Sequence, residues 1–351
     1  MKKLRFLAPF LGLLVALSAC KKSDSTTEST AENKAAGAPF RVALVLDKGG
    51  KDDKSFNASA FLGASRAQKE LGIELRDVEV NDDTQVEPTL KNFAKKGYDL
   101  VIAIGFTQQE ALKKAAEANP NTHFALVDSV VDLPNVASLM FKEHQGSYLA
   151  GALAAMKSKS GVIGFIGGMD IPLIRRFELG YREGAKHVKN NIKVIVNYVG
   201  VTGEAWNNPT KAKELAVSQM GQKADVIFHA AGASGAGLFD AVEERTKSKA
   251  GENFYAIGVD SNQNWVKPGF VLTSMLKRVD VAVFDTIKAA KEGKFKTGRQ
   301  DFGLQNAGID LAMDEHNKAL VDDWMKTELD KLKTDIVHSK ITVTDYYLIK
   351  R

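Results

Sequence analysis

From Phe40 onward the chain alternates two kinds of hydrophobic pattern. Continuous Val/Ile/Leu/Ala runs of strand length occupy Val42–Asp47, Ile73–Val80, Leu100–Gly105, Phe124–Asp128, Val162–Gly167, Val194–Gly200, Val226–Ala230 and Tyr255–Asp260. Runs that are apolar at nearly every position predict strands covered on both faces, as in parallel sheets. Between them, helix-like segments fall at Ser55–Leu71, Val86–Lys96, Thr107–Ala118, His144–Met156, Leu173–Val188, Pro209–Met220, Gly237–Lys247 and Val279–Glu292. Strand–helix alternation gives right-handed crossovers and doubly wound sheets. Half of these units precede Met140 and half follow it. The pattern therefore predicts an α/β protein of two similar lobes, each a doubly wound, mostly parallel sheet flanked by helices. The first lobe is expected to take residues 40–142 plus about 273–300, the second 143–272 plus about 301–351.

Several strand segments end in a polar residue or glycine where a helix should begin: Asp47, Gly105, Asp128, Gly167, Gly232 and Asp260. Ligands of open α/β sheets sit at these carboxyl ends. Such ends come from both halves, so one cleft lined by both lobes and closed by a hinge is expected.

Composition narrows the chemistry. A chain of 351 residues with 44% hydrophobic and 26% charged side chains can bury large cores without disulfides or metals. The single cysteine, Cys20, excludes an intramolecular disulfide and a thiolate-rich zinc site. Histidines 123, 144, 187, 229, 316 and 338 are scattered without H-E-x-x-H spacing, which argues against a histidine-based metalloenzyme. No metal and no cofactor are expected.

The N-terminus reads as an export signal. Met1-Lys2-Lys3-Leu4-Arg5 is basic, Phe6–Leu17 is apolar, and Ser18-Ala19-Cys20 follows, so residues 1–19 form a signal peptide. The apolar run falls short of the ~20 residues a membrane-spanning helix needs. Leu17-Ser18-Ala19-Cys20 also resembles the bacterial lipobox, which implies cleavage before Cys20 and lipid on its thiol and new amino end, palmitate included. Residues 20–39 then form a lipidated, polar tether holding the domain off a membrane. Loss of Lys2, Lys3 and Arg5 lowers the formal charge from +5 to +2. A nucleic-acid surface has no support from that balance, nor from any Arg-rich or aromatic-interleaved basic stretch.

The loop after the first strand, Asp47-Lys48-Gly49-Gly50-Lys51-Asp52-Asp53-Lys54-Ser55-Phe56-Asn57, is a glycine-permitted turn with Asp53 or Ser55 as helix cap. It is not a phosphate loop, because Gly50-Lys51 is followed by Asp52 and the carboxylates would repel a polyphosphate. Gly232-Ala233-Ser234-Gly235-Ala236-Gly237 lacks the dinucleotide spacing, so NAD is not indicated.

This loop, together with Gly167-Gly168-Met169-Asp170-Ile171-Pro172, Phe177-Glu178-x-Gly180-Tyr181, Gly258-Val259-Asp260 and Ser274-Met275-Leu276-Lys277, resembles the basic membrane protein (Bmp) family of purine-nucleoside-binding lipoproteins. The resemblance runs from about Phe40 to the end, with the segments in the family's order. Trp206 and Lys51 depart from it, standing where many members carry Phe and a small or apolar residue. It implies a type I periplasmic-binding-protein fold, a monomer anchored in the cell envelope and facing periplasm or exterior, and delivery of adenosine, guanosine or inosine to the permease and ATPase of an ABC importer.

A nucleoside needs aromatic faces, donors and acceptors for the base edge, and a carboxylate for the ribose diol. Phe61, one turn after Asn57, and Phe177 on the opposite lobe are candidates for the base faces, against a reading as core. Asp260 can accept two diol hydrogens, with Lys277 balancing its charge; a turn cap is the competing reading. By the resemblance, Asp128 meets the purine edge with Asn57. Gly232 lets the backbone approach the sugar. Asp47 and Asp53 belong to the same loop, and Trp206 completes the ligand-binding set, with Phe106 and Trp265 weaker. Catalytic residues are not expected: there is no Gly-x-Ser-x-Gly elbow and Cys20 is taken by lipid. Three alternatives stand: a sugar-binding protein of the same fold, a nucleoside hydrolase with calcium on Asp47, Asp52 and Asp53, and a sensor that hands its ligand-bound form to a membrane receptor.

Overall fold

A computed structural model describes residues 38–248 and 251–349. The export signal, Cys20 and nearly all of the tether lie outside the described residues. Strands β1 (Arg41–Leu46), β2 (Glu74–Glu79), β3 (Leu100–Ile104), β4 (His123–Val127) and β5 (Val136–Phe141) alternate with helices α1 (Phe56–Leu71), α2 (Val86–Lys95) and α3 (Gln109–Ala118). After helix α4 (Glu143–Lys157), strands β6 (Val162–Met169), β7 (Lys193–Gly200), β8 (Val226–Ala230), β9 (Tyr255–Asp260) and β10 (Val271–Lys277) alternate with α5 (Pro172–Val188), α6 (Pro209–Gly221) and α7 (Gly235–Ser248). Helix α8 (Val279–Lys291), strands β11 (Gly298–Phe302) and β12 (Ile309–Leu311) and helix α9 (Asp323–Val337) complete the fold.

The strands make two six-stranded sheets, ordered β11-β5-β4-β3-β1-β2 and β12-β10-β9-β8-β6-β7. All pairings are parallel except β10 with β12. The second order is the first displaced by five strands, with β11 and β12 as matching edges. Central strands such as β3 and β8 are buried at every position, which is why they appear as unbroken apolar runs. Among the described residues no helix is long and apolar enough to cross a membrane.

The chain passes between lobes at β5–α4, β10–α8 and β11–β12. Helix α8 lies on α1, where Asp280 N donates to Ser59 Oγ at 3.1 Å. The second crossing comes after Lys277 rather than near residue 273, because β10 pairs with β9 as far as Leu276 and with β12 at Lys277. Likewise β11 keeps residues 301–302 in the first sheet. The pattern reading also passed over β5, β10, β11, β12 and α9.

Candidate functional site

The carboxyl ends of both sheets converge on one cleft lined by both lobes, the place where open α/β sheets hold their ligands. Asp47, Asp53, Asn57, Asp128, Phe177, Trp206, Gly232, Asp260 and Lys277 all line it. Phe61 does not. It stands half-buried with the Lys51 ammonium 5.2 Å from its ring centre. One helical turn advances about 5.4 Å, which carries Phe61 past the rim, and Phe56 at the first position of α1 faces the cleft instead. Lys48, Gly105, Phe106, Leu173, Ile174, Ala230 and Val259 also contribute walls.

The first loop is built by two of the expected ligand residues. Asp53 Oδ1 accepts from Ser55 N at 2.8 Å and Ala58 N at 3.0 Å, while Oδ2 accepts from Asn57 N at 2.9 Å and Asn57 Nδ2 at 3.1 Å. Asp53 thus caps α1, satisfying backbone donors that the helix leaves open. Asn57 Oδ1 accepts from Asp47 N at 2.9 Å, and its Nδ2 also donates to Lys48 O at 3.3 Å. Their polar atoms are committed to the loop, which fixes Asp47 at the end of β1. Asp47 in turn accepts from Lys48 N at 2.8 Å and Thr107 Oγ1 at 3.1 Å. Gly105, at φ +108°, leaves room for it, since a Cβ there would lie 2.4 Å from Asp47 Oδ2. Gly232 occupies the matching place after β8, also with positive φ.

Asp128 and Asp260 hold equivalent positions after β4 and at the end of β9, and both adopt the left-handed conformation, at φ +72° and +64°. That region is sparsely populated by residues other than glycine and gathers at functional sites. Lys277 Nζ lies 2.5 Å from Asp128 Oδ2 and 3.3 Å from Glu143 Oε1. Asp260 Oδ2 accepts from Ser55 Oγ at 2.6 Å, a bond between the lobes. Asp128 is thus paired with Lys277, while Asn57 lines the same cleft from the first loop. Asp128 Oδ1 is buried without a hydrogen-bond partner among the described residues, as is Trp206 Nε1.

Burial sets the electrostatics. It lifts the carboxyl of Asp260 to about 7, with Lys277 and Ser55 pulling the other way. Burial likewise raises Asp128 to about 6 against the pull of Lys277, and Asp47 to about 6 against its hydrogen bonds from Lys48 and Thr107. For Lys277 burial acts downward, but Asp128, Glu143 and Asp260 outweigh it and hold the ammonium above its ordinary value.

Aromatic rings enter from both lobes. Phe56 and Phe177 surround the Lys277 ammonium, at 5.0 and 5.8 Å from their ring centres. Phe106 and Trp206 meet edge to face at 6.3 Å. At the mouth, Lys48 Nζ lies 3.5 Å from Asp83 of its own lobe and 3.6 Å from Glu204 of the other. Trp265 is half exposed, beneath Lys54. Among the described residues no group of three potential metal ligands comes together.

The family model described as ABC transporter substrate-binding protein PnrA-like (Bmp) matches residues 40–345. The chain belongs to the Bmp family. It is 35% identical to the ABC transporter nucleoside-binding protein BmpA of Lactococcus lactis, over 95% of this chain and 96% of that one. An uncharacterized lipoprotein of Pyrococcus abyssi is 34% identical over 88% of this chain and 77% of its own length. The crystal structure of an ABC transporter solute-binding protein from Aeropyrum pernix superposes with a TM-score of 0.79 at 29% identity, covering 88% of this chain and 94% of that one. This Bmp-family chain is thus a substrate-binding protein of an ABC transporter, with transporter subunits as partners. Its relatives are binding proteins rather than enzymes. Of the three acids named for a calcium-dependent hydrolase, Asp53 accepts from the first turn of α1, Asp47 accepts from Lys48 and Thr107, and Asp52 is exposed.

Phe56 could have been found from sequence by its place, the first helical residue after a strand-end loop. Leu173 and Ile174 carried no such signal, since apolar residues early in a helix are usually core.

Proposed function

We propose that this protein captures purine nucleosides in the interlobe cleft and hands them to an ABC importer, while lipid on Cys20 anchors it to the outer face of a membrane. The observation that carries the reading is the pair of strand-end carboxylates, Asp128 and Asp260, set around Lys277 between aromatic rings from both lobes. In this reading Asp260 and Lys277 take the ribose diol. Asp128 offers its unpartnered Oδ1 to an N–H or O–H of the ligand, and Phe56, Phe106, Phe177 and Trp206 supply faces for the base. The resemblance of the motifs and the nucleoside-binding name of the Lactococcus relative support the ligand class. The lipobox and the lipoprotein name of the Pyrococcus relative support the anchor.

A ligand that binds only the native form adds RT ln(1 + [L]/Kd), about 2.7 kcal/mol at a hundredfold excess. Adenosine, guanosine or inosine is expected to raise the melting temperature, and ribose or inorganic phosphate is not. Protein stripped of co-purified ligand by unfolding and refolding, yet unmoved by all these nucleosides, would rule the reading out. A shift with ribose alone would make the protein a sugar binder.

A further inference from the structure

Behind the cleft runs a chain of buried charges of alternating sign. Asp128 pairs with Lys277, Lys277 lies near Glu143, Glu143 pairs with Arg176, and Arg176 pairs with Asp345 on the C-terminal segment. Glu143, Arg176 and Lys277 are at most 2% exposed. Arg176 uses its full set of donors. Nε and Nη2 grip Asp345 at 2.8 and 2.9 Å, Nη1 serves Glu143 and the Phe141 carbonyl, and Nη2 meets His144 Nδ1 at 3.1 Å. Neither Glu143, Arg176 nor Asp345 lines the cleft. Phe141–Glu143 and Lys277 flank two of the crossings between the lobes.

We propose that Asp345, Arg176 and Glu143 are positioning residues for ligand binding, so that the C-terminal segment sets affinity at a cleft it does not touch. Glu143 is shared between two cations. With Asp345 holding the Nε–Nη2 edge of Arg176, Glu143 remains available to balance Lys277, and the ammonium stays against Asp128. Without the Asp345 charge, Arg176 claims Glu143 more fully, and Lys277, already on Asp128 Oδ2, turns toward Asp260 and Asp128 Oδ1, occupying acceptors meant for the ligand. A buried ion network transmits such a change because an uncompensated charge has no water to relax into.

This inference rests on the nucleoside reading of the cleft, and the test keeps the two apart. Calorimetric titration with inosine compares wild type, D345N, D345E, D128N and the double variant D345N/D128N. Asp310→Asn, which breaks a surface pair with Lys333 on the same lobe, serves as control. D345N is expected to raise Kd about three- to tenfold, within the range for residues coupled to a site they do not touch. D345E should recover most of the loss, and the control should match wild type. In the D128N background the further effect should fall below about twofold, since coupled residues do not add. Affinity unchanged in D345N, whatever its melting temperature, or losses that simply multiply in the double variant, would overturn the inference. If D345N does not fold, R176K makes the same comparison, because an amine cannot grip Asp345 and Glu143 together; unchanged affinity there is equally fatal. Failure of the wild type to bind any purine nucleoside removes the functional reading and this inference with it.

Discussion

Asp260 accepts the Ser55 hydroxyl with one oxygen and faces the cleft among Asp53, Asp128 and Lys277. To accept a diol it must be ionised, and its carboxyl titrates at about 7. Binding therefore expels a proton at acid pH, and inosine affinity should rise with pH until about 7, falling by up to about tenfold per unit below it. Calorimetry across that range checks this, and a flat profile would remove Asp260 from the diol. Melting temperature is a poorer gauge. A raised carboxyl takes up protons in the folded state, so its contribution to stability falls as pH climbs from the unfolded value, 3.8, to about 7. Buried His144 and His229, pushed down to about 4, do the reverse between about 4 and 6.5. Asp260→Ala should weaken adenosine binding by about 1.5–3 kcal/mol, as for a hydrogen bond to a charged group, and shrink the preference for ribose over deoxyribose. Phe56→Ala and Phe177→Ala should each lose about 1–3 kcal/mol with that preference intact. Phe61→Ala should stay within about 0.5 kcal/mol of wild type.

The Asp53 carboxylate caps the first turn of α1 and also steadies the Asn57 amide that holds Asp47. Asp53→Ala should therefore lower unfolding free energy by about 1–2 kcal/mol, as for other lost caps, and weaken ligand binding as well. Denaturant melts and calorimetry on the same sample separate the two effects; intact affinity would mean that Asp47 needs no such support. Legibility in the sequence follows the same division. Strands such as Leu100–Ile104 are covered on both faces and announce themselves as apolar runs. β5 is buried throughout and β10 nearly so, but β10 carries Thr, Ser and Lys, and each follows its neighbour without a full helix between, so strand–helix alternation passes over them. β11, Gly-Arg-Gln-Asp-Phe, is a polar edge, and β12 spans three residues. In the site, strand-end acids were visible because position and residue type coincide. The division between ligand groups and loop-building groups was not, since Asp53 and Asp128 look alike until hydrogen bonds are traced. Glu143 and Arg176 gave no signal, because a salt bridge across distant segments leaves no local pattern.

Across the whole molecule, Lys48 ties the lobes at the cleft mouth through Glu204, while its contact with Asp83 stays within one lobe. Both acids are exposed, so the pair is weak and screened by salt. Glu204→Gln should speed inosine release about two- to fivefold, the scale of an exposed ion pair, and blunt its dependence on ionic strength; Asp83→Asn should do neither. Stopped-flow release at low and high salt decides between them. Cys20→Ser should move the protein from the membrane to the soluble fraction without changing its affinity, and equal partitioning of mutant and wild type would count against the anchor. The first sheet is completed by β11 and its α1 is covered by α8, both encoded after β10 of the second. A ribosome must therefore finish most of the second lobe before the first has all its pieces. A fragment ending at Phe141 lacks an edge strand and a covering helix and should remain unfolded on its own. For the exported chain proposed above, such late completion keeps the nascent polypeptide threadable through a translocation channel until nearly all of it has emerged.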